Sequence, residues 1–155
     1  MAKGEIEWQN GRVFHGQVSG GALTIAPTDS ALPGDRFGPK ELVMLGLAGC
    51  TGMDVVSILE KMRALPERFS VAARSEDAPE HPRYLERIFV TYRIDGAVTA
   101  DQARRAVVLS LERYCGVSVT LEGKSTITPE IVLNGDSLPD MPSFGPSHAA
   151  APEPR

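Results

Sequence analysis

Cysteine is scarce in this chain, which has only Cys50 and Cys115 among its 155 residues. The two lie too far apart for a Cys-x-x-Cys redox motif or a zinc knuckle, so joint chemistry requires the fold to bring them together. No basic excess is present either. The formal net charge of −4 advertises no face for nucleic acid or for an anionic membrane surface. The opening stretch MAKGEIEWQNGRVFHG carries a charge every few residues and lacks an apolar h-region, which argues against a signal peptide. No apolar run is expected to approach the roughly 18 residues of a membrane span. These absences predict a cytoplasmic protein with neither nucleic acid nor membrane as partner. In a reducing compartment a cysteine pair serves redox chemistry, metal ligation or plain packing rather than a structural disulfide.

What is present is ordinary globular material, 42% apolar and 23% charged, enough for one domain with a buried core. Glu5 to Gln9 and Arg12 to Val18 partly alternate across Asn10-Gly11, a pair that favours a type I′ hairpin. Gly20-Gly21 marks a second turn before Ala22 to Ile25. The Pro-, Gly- and Asp-rich residues 28–39 read as an irregular loop. Pro39 suits a first helical turn, and a long helix follows to about Ala64. Between Leu42 and Leu59 it is apolar on nearly every face, which predicts a buried central helix. Gly46, Ala48, Gly49, Thr51 and Gly52 would permit close approach of another backbone around Cys50.

A strand over 68–75 and a better alternating one over 85–94 come next, with Ile88, Val90, Tyr92 and Ile94 on one face. Thr99 is a plausible N-cap for a helix carrying Ala103, Ala106, Val107, Leu109 and Leu111 as its stripe. Tyr114-Cys115-Gly116 closes or kinks that helix. A short element over 117–121 leads to a last strand over 126–133. From Gly135 the composition turns to Pro, Ser and Ala without periodicity, so 135–155 reads as a flexible tail behind a 1–134 domain. The order β-β-β-α-β-β-α-β is that of an α+β protein.

Taken singly, each cysteine is as readily a packing residue as a reactive one. As a nucleophile Cys50 would need a cation or hydrogen-bond donors to favour its thiolate. Arg36, from the 28–39 loop, and Arg12 are the candidates for that cation. Asp54, one helical turn beyond Cys50, either faces the sulfur or is a partly exposed helix carboxylate. The spacing of His15, His81 and His148 supports no metal site.

The stretch Gly38-Pro39-Lys40-Glu41-Leu42 through Gly49-Cys50 resembles the Pro-x-Glu-Leu…Gly-Cys signature of the OsmC-like superfamily. This group contains the osmotically inducible and organic hydroperoxide resistance proteins. The continuation from Thr51 to Arg63 is more similar to the YhfA-like branch. Ser110-Leu111-Glu112-Arg113-Tyr114-Cys115-Gly116-Val117-Ser118 resembles the second cysteine motif. The resemblance spans 5–134 and implies an OsmC-like fold of two intimately associated chains, with the long helix central and the two cysteines meeting at the interface. It implies a peroxidase in which Cys50 attacks a hydroperoxide and Cys115 resolves the product, with an arginine on the thiolate and a glutamate holding that arginine. Arg36 and Glu41 are the positions to which those two roles fall. The position of the peroxidases' glutamate is Lys40 here, with Glu41 about 100° further around the helix, where it either substitutes or is a first-turn acid favoured by the helix dipole.

Two function classes follow. The first is a homodimeric thiol peroxidase acting on organic hydroperoxides or hydrogen peroxide, with no bound cofactor or metal and an external dithiol as reductant. The second is a non-enzymatic binding or redox-sensing protein that holds an apolar small molecule in the same interfacial pocket.

Overall fold

The computed structural model describes residues 1–27 and 36–146. Positions 147–155 of the expected tail, including His148, and positions 28–35 of the expected loop lie outside the described residues. The chain divides into two compact units, Met1–Leu45 and Gly46–Arg155.

In the first unit, β1 (Gly4–Asn10), β2 (Val13–Val18) and β3 (Gly21–Ile25) form the expected antiparallel meander. Its first turn differs by one residue. The pairing shifts between Trp8 and Asn10, a bulge that leaves Asn10 opposite Val13. The two-residue loop is therefore Gly11-Arg12, with only Gly11 at positive φ (50°). This is the pattern of a type II′ turn, not the type I′ turn predicted from Asn10-Gly11. Arg36, expected in an irregular loop, instead belongs to a two-residue strand, β4 (Arg36–Phe37), which pairs parallel with β3 through Thr24 and Ile25.

Helix α1 (Pro39–Lys61) begins at the expected proline and runs from the first unit into the second. It is long and apolar enough to cross a membrane by length and composition, which corrects the expectation that no run approaches such a span. Its residues sort by face. Within the second unit, Leu47, Thr51, Gly52, Val55, Ile58 and Leu59 are buried at three- and four-residue spacing. Gly49 and Met53 are exposed, so the helix is not covered on every side as its composition suggested. Gly52 is where a strand comes close: a Cβ there would lie 3.4 Å from Val71 Cγ2. Half-burial against a sheet is the signature of a core helix.

The second sheet has the order β5 (Arg68–Asp77), β6 (Leu85–Asp95), β7 (Thr126–Leu133), β8 (Asp136–Leu138). The predicted face of β6 is the buried one: Ile88, Val90, Tyr92 and Ile94 have no exposed surface. β6 and β7 are parallel, so the chain between them must cross over the sheet, and helices fill that crossover. α2 (Ala100–Leu109) carries a complete capping box: Thr99 Oγ1 accepts from Gln102 N, and the Gln102 side chain accepts from Thr99 N. A π-helical turn follows over Ser110–Tyr114, then α3 (Gly116–Glu122). The expected tail does not begin at 135. Asp136–Leu138 pair antiparallel with the outer edge of β7, and Phe144 bridges to Ile127 by two 2.8 Å backbone hydrogen bonds.

The β6–α2 corner depends on Gly96. Its φ is +126°, and a Cβ there would stand 2.8 Å from the backbone nitrogen of Glu67. Gly11 has positive φ as well, with open space around it. Gly96→Ala should cost about 2–3 kcal/mol through strain and clash together, and Gly11→Ala about 1 kcal/mol from conformation alone. Urea midpoints at constant slope measure both; equal losses would contradict the close approach at Gly96.

Candidate functional site

Cys50 sits on the second unit's portion of α1, half-buried, and Cys115 is fully buried at the junction of the π-helical turn and α3. Both are free thiols. The two sulfurs and an Asp54 carboxylate oxygen all lie within 4.8 Å of one another. Cys50 and Asp54 are four residues apart on one helix and so share a face.

The approach of Cys115 is built by the π turn. Cys115 N donates to Ser110 O over 2.8 Å, a five-residue hydrogen bond in place of the usual four. The extra residue in the turn rotates Cys115 relative to a regular helix and ends the helix there, with Cys115 in an extended conformation at φ −74°, ψ 97°. Its sulfur then accepts from Ser118 N at 3.4 Å, capping α3. Ser118 Oγ donates to the carbonyls of Leu111 and Cys115, which fixes the corner.

Behind the sulfurs runs a chain of side-chain hydroxyls. Tyr92 OH and Thr51 Oγ1 are 2.7 Å apart, Thr51 Oγ1 and Ser110 Oγ 2.8 Å, and Ser110 Oγ donates to Asp54 Oδ2 at 3.1 Å. Each hydroxyl has a single proton. Ser110 spends its own on the carboxylate, so it accepts from Thr51, and Thr51 accepts from Tyr92. The chain therefore has one direction, from the buried phenol of β6 to Asp54. Burial pushes the Tyr92 phenol far up, so it stays protonated and a donor. Burial also pushes the Cys115 thiol up; the Ser118 backbone hydrogen bond opposes this, and neighbouring Cys50 adds to it.

The Asp54 end opens into a cleft of about 260 Å³, lined also by Ser57, Ile58, Lys61, Arg105, Leu109 and Tyr114. Cys50 and Cys115, singled out from sequence, are thus brought together, and Asp54 faces them. Arg36 and Glu41 belong to the first unit. Glu41 Oε2 accepts from Gly38 N at 2.8 Å, the reciprocal half of a capping box at the start of α1. Thr51, Tyr92 and Ser110 were missed by sequence reasoning. The available signal was Tyr92 itself, whose place on the buried face of an alternating strand obliges its hydroxyl to find a partner.

Residues 32–130 match the family of OsmC-like proteins. Protein YhfA of Escherichia coli K12 is 35% identical over 125 residues, covering 79% of this chain and 91% of its own. A hypothetical protein from Aquifex aeolicus VF5 superposes with a TM-score of 0.73 at 25% identity, over 86% of this chain and 97% of that one. The organic hydroperoxide resistance protein OhrB of Bacillus subtilis shares the fold, with a TM-score of 0.63 at 18% identity over 84% and 97% of the two chains. With the two cysteine motifs in order, the α+β architecture in common and more than half of the sequence matched, this chain belongs to the OsmC-like protein family.

Proposed function

We propose that this protein is a cysteine-based peroxidase that reduces organic hydroperoxides or hydrogen peroxide in the cytoplasm. The observation that carries the reading is the meeting of two free thiols, one half-exposed and one buried, with sulfurs within 4.8 Å. The accessible sulfur, Cys50, attacks the terminal peroxide oxygen. The O–O bond breaks, the alcohol (or water) leaves, and Cys50 becomes a sulfenic acid. Cys115 Sγ then attacks Cys50 Sγ, a disulfide forms and water departs. An external dithiol restores both thiols by exchange. The burial that holds the Cys115 thiol protonated suits a resolving residue better than an attacking one. The hydroperoxide resistance named for the Bacillus relative supports the substrate class. Arg36, supporting the thiolate, and Glu41, holding that arginine, complete the proposal.

The working form is a homodimer, on the same proposal. Ile6 and Trp8 of β1 and Met53, Leu65, Tyr114 and Val119 are large apolar residues, each more than half exposed. A single chain leaves them in water, and a second copy would cover them. Sedimentation at micromolar concentration should give twice the chain mass; a folded monomer would remove the dimer from the proposal.

Cys50→Ser should abolish consumption of cumene hydroperoxide with dithiothreitol as reductant. Cys115→Ser should permit one oxidation and leave a sulfenic acid that dimedone labels. Wild-type protein that leaves peroxide untouched would exclude the enzyme in favour of a binding or sensing role. Arg36→Ala and Glu41→Gln should slow turnover without changing the thiol count.

Alkylation separates the two sulfurs. Iodoacetamide should modify Cys50 first. The Cys115 rate should keep climbing above pH ~8.5, where an ordinary thiol is half ionised, because its raised pKa defers the thiolate to higher pH. Equal rates with a common midpoint would contradict the buried setting of Cys115.

A further inference from the structure

The peroxidase reading leaves Asp54 without a task. Yet the hydroxyl chain from Tyr92 through Thr51 and Ser110 ends on this group, and its oxygen lies within 4.8 Å of both sulfurs. Three groups that become anions on ionisation converge on one point. A bound cation turns that convergence from a liability into a site.

We infer that Cys50 Sγ, Cys115 Sγ and Asp54 Oδ bind a thiophilic divalent cation, Zn²⁺, as three ligands of a tetrahedral centre. Zinc–sulfur and zinc–oxygen bonds of about 2.3 and 2.0 Å place tetrahedral ligand atoms roughly 3.5–3.8 Å apart. The observed separations, all within 4.8 Å, need a contraction of about 1.3 Å at most, within reach of side-chain rotation. Cys50 and Asp54 supply an i, i+4 pair from one helix face, the arrangement by which helices present two ligands to one metal. Cys115 completes the set from the corner shaped by the π turn. Ser110 Oγ holds the carboxylate in the way outer-shell donors orient metal ligands. Asp54 also lines the cleft with Ser57, Lys61 and Arg105, which gives the ion an entry path and leaves the fourth position for water or a small anion. Two thiolates with one carboxylate select zinc over magnesium or calcium, which prefer all-oxygen shells.

The site requires only reduced thiols and no peroxide chemistry. The test therefore uses the reduced full chain without oxygen or peroxide, titrated with Zn²⁺ against a chromophoric chelator and with Co²⁺ as a spectroscopic substitute. One equivalent per chain should bind, with a thiolate-to-cobalt charge-transfer band and the visible bands of tetrahedral cobalt. Cys50→Ser and Asp54→Asn are near-isosteric, and asparagine still accepts the Ser110 hydrogen bond. The first should weaken the charge-transfer band, and both should lower zinc affinity. Ser110→Ala should cost about 10-fold through the outer shell. Zinc should also slow alkylation of both cysteines in wild-type protein, and chelator should reverse this. No stoichiometric binding by wild-type protein, or equal binding by wild-type, Cys50→Ser and Asp54→Asn chains, would overturn the site. A chain that consumes peroxide but binds no zinc would overturn this inference alone; one that binds zinc but spares peroxide would overturn the peroxidase alone.

Discussion

Ser110 ties the two cysteine-bearing elements to each other. Its hydroxyl donates to Asp54 and accepts from Thr51, both on α1, while its carbonyl accepts the N–H of Cys115 across the π turn. One buried residue thereby sets the position of the first cysteine's helix and the height of the second cysteine's backbone. The buried hydroxyls of Thr51, Tyr92 and Ser110 would each carry a desolvation penalty of about 1–3 kcal/mol if left unpaired. Because they satisfy one another, loss of any one strands its neighbour, so the network holds α1 against β6 and the π-helical turn in a single arrangement.

That arrangement places two thiols of unlike exposure side by side in a largely apolar setting. The exposed strip of α1 that carries Gly49 and Met53 sits beside the half-buried Cys50, whereas Cys115 lies behind it with no exposed surface. Burial separates the two thiols in reactivity without any difference in their intrinsic chemistry. The proposed disulfide step and the proposed cation site both need only that these atoms converge.

Much of this was legible in the sequence because the relevant signals are local. Pro39 opens α1, Thr99 caps α2, and the alternation of Ile88, Val90, Tyr92 and Ile94 gives the buried face of β6. What escaped depends on tertiary partners. The π turn leaves no mark in SLERY, which reads as plain helix; only the hydrogen bonds of Ser110 to α1 reward the extra residue. The one-residue shift of the first hairpin comes from a bulge near Gln9, invisible beside an Asn-Gly pair that favours a different turn. β8 is three residues with two polar ones, and it forms only because β7 offers an edge. The family motifs located both cysteines, yet Glu41, one residue past the peroxidases' glutamate position, holds the first turn of its own helix.

The return of the chain after β7 has a consequence for solubility. A parallel strand with isoleucines at 127 and 131 would otherwise end the sheet with a row of unpaired amides, a template for intermolecular stacking. Leu138 stands opposite Ile131, and Phe144 is bridged to Ile127. Gly145 lets the strap lie so close that a Cβ there would collide with the carbonyl oxygen of Ser125. The stretch that reads from composition as the start of a flexible tail is a seam, and it covers the β7 edge against self-templating growth.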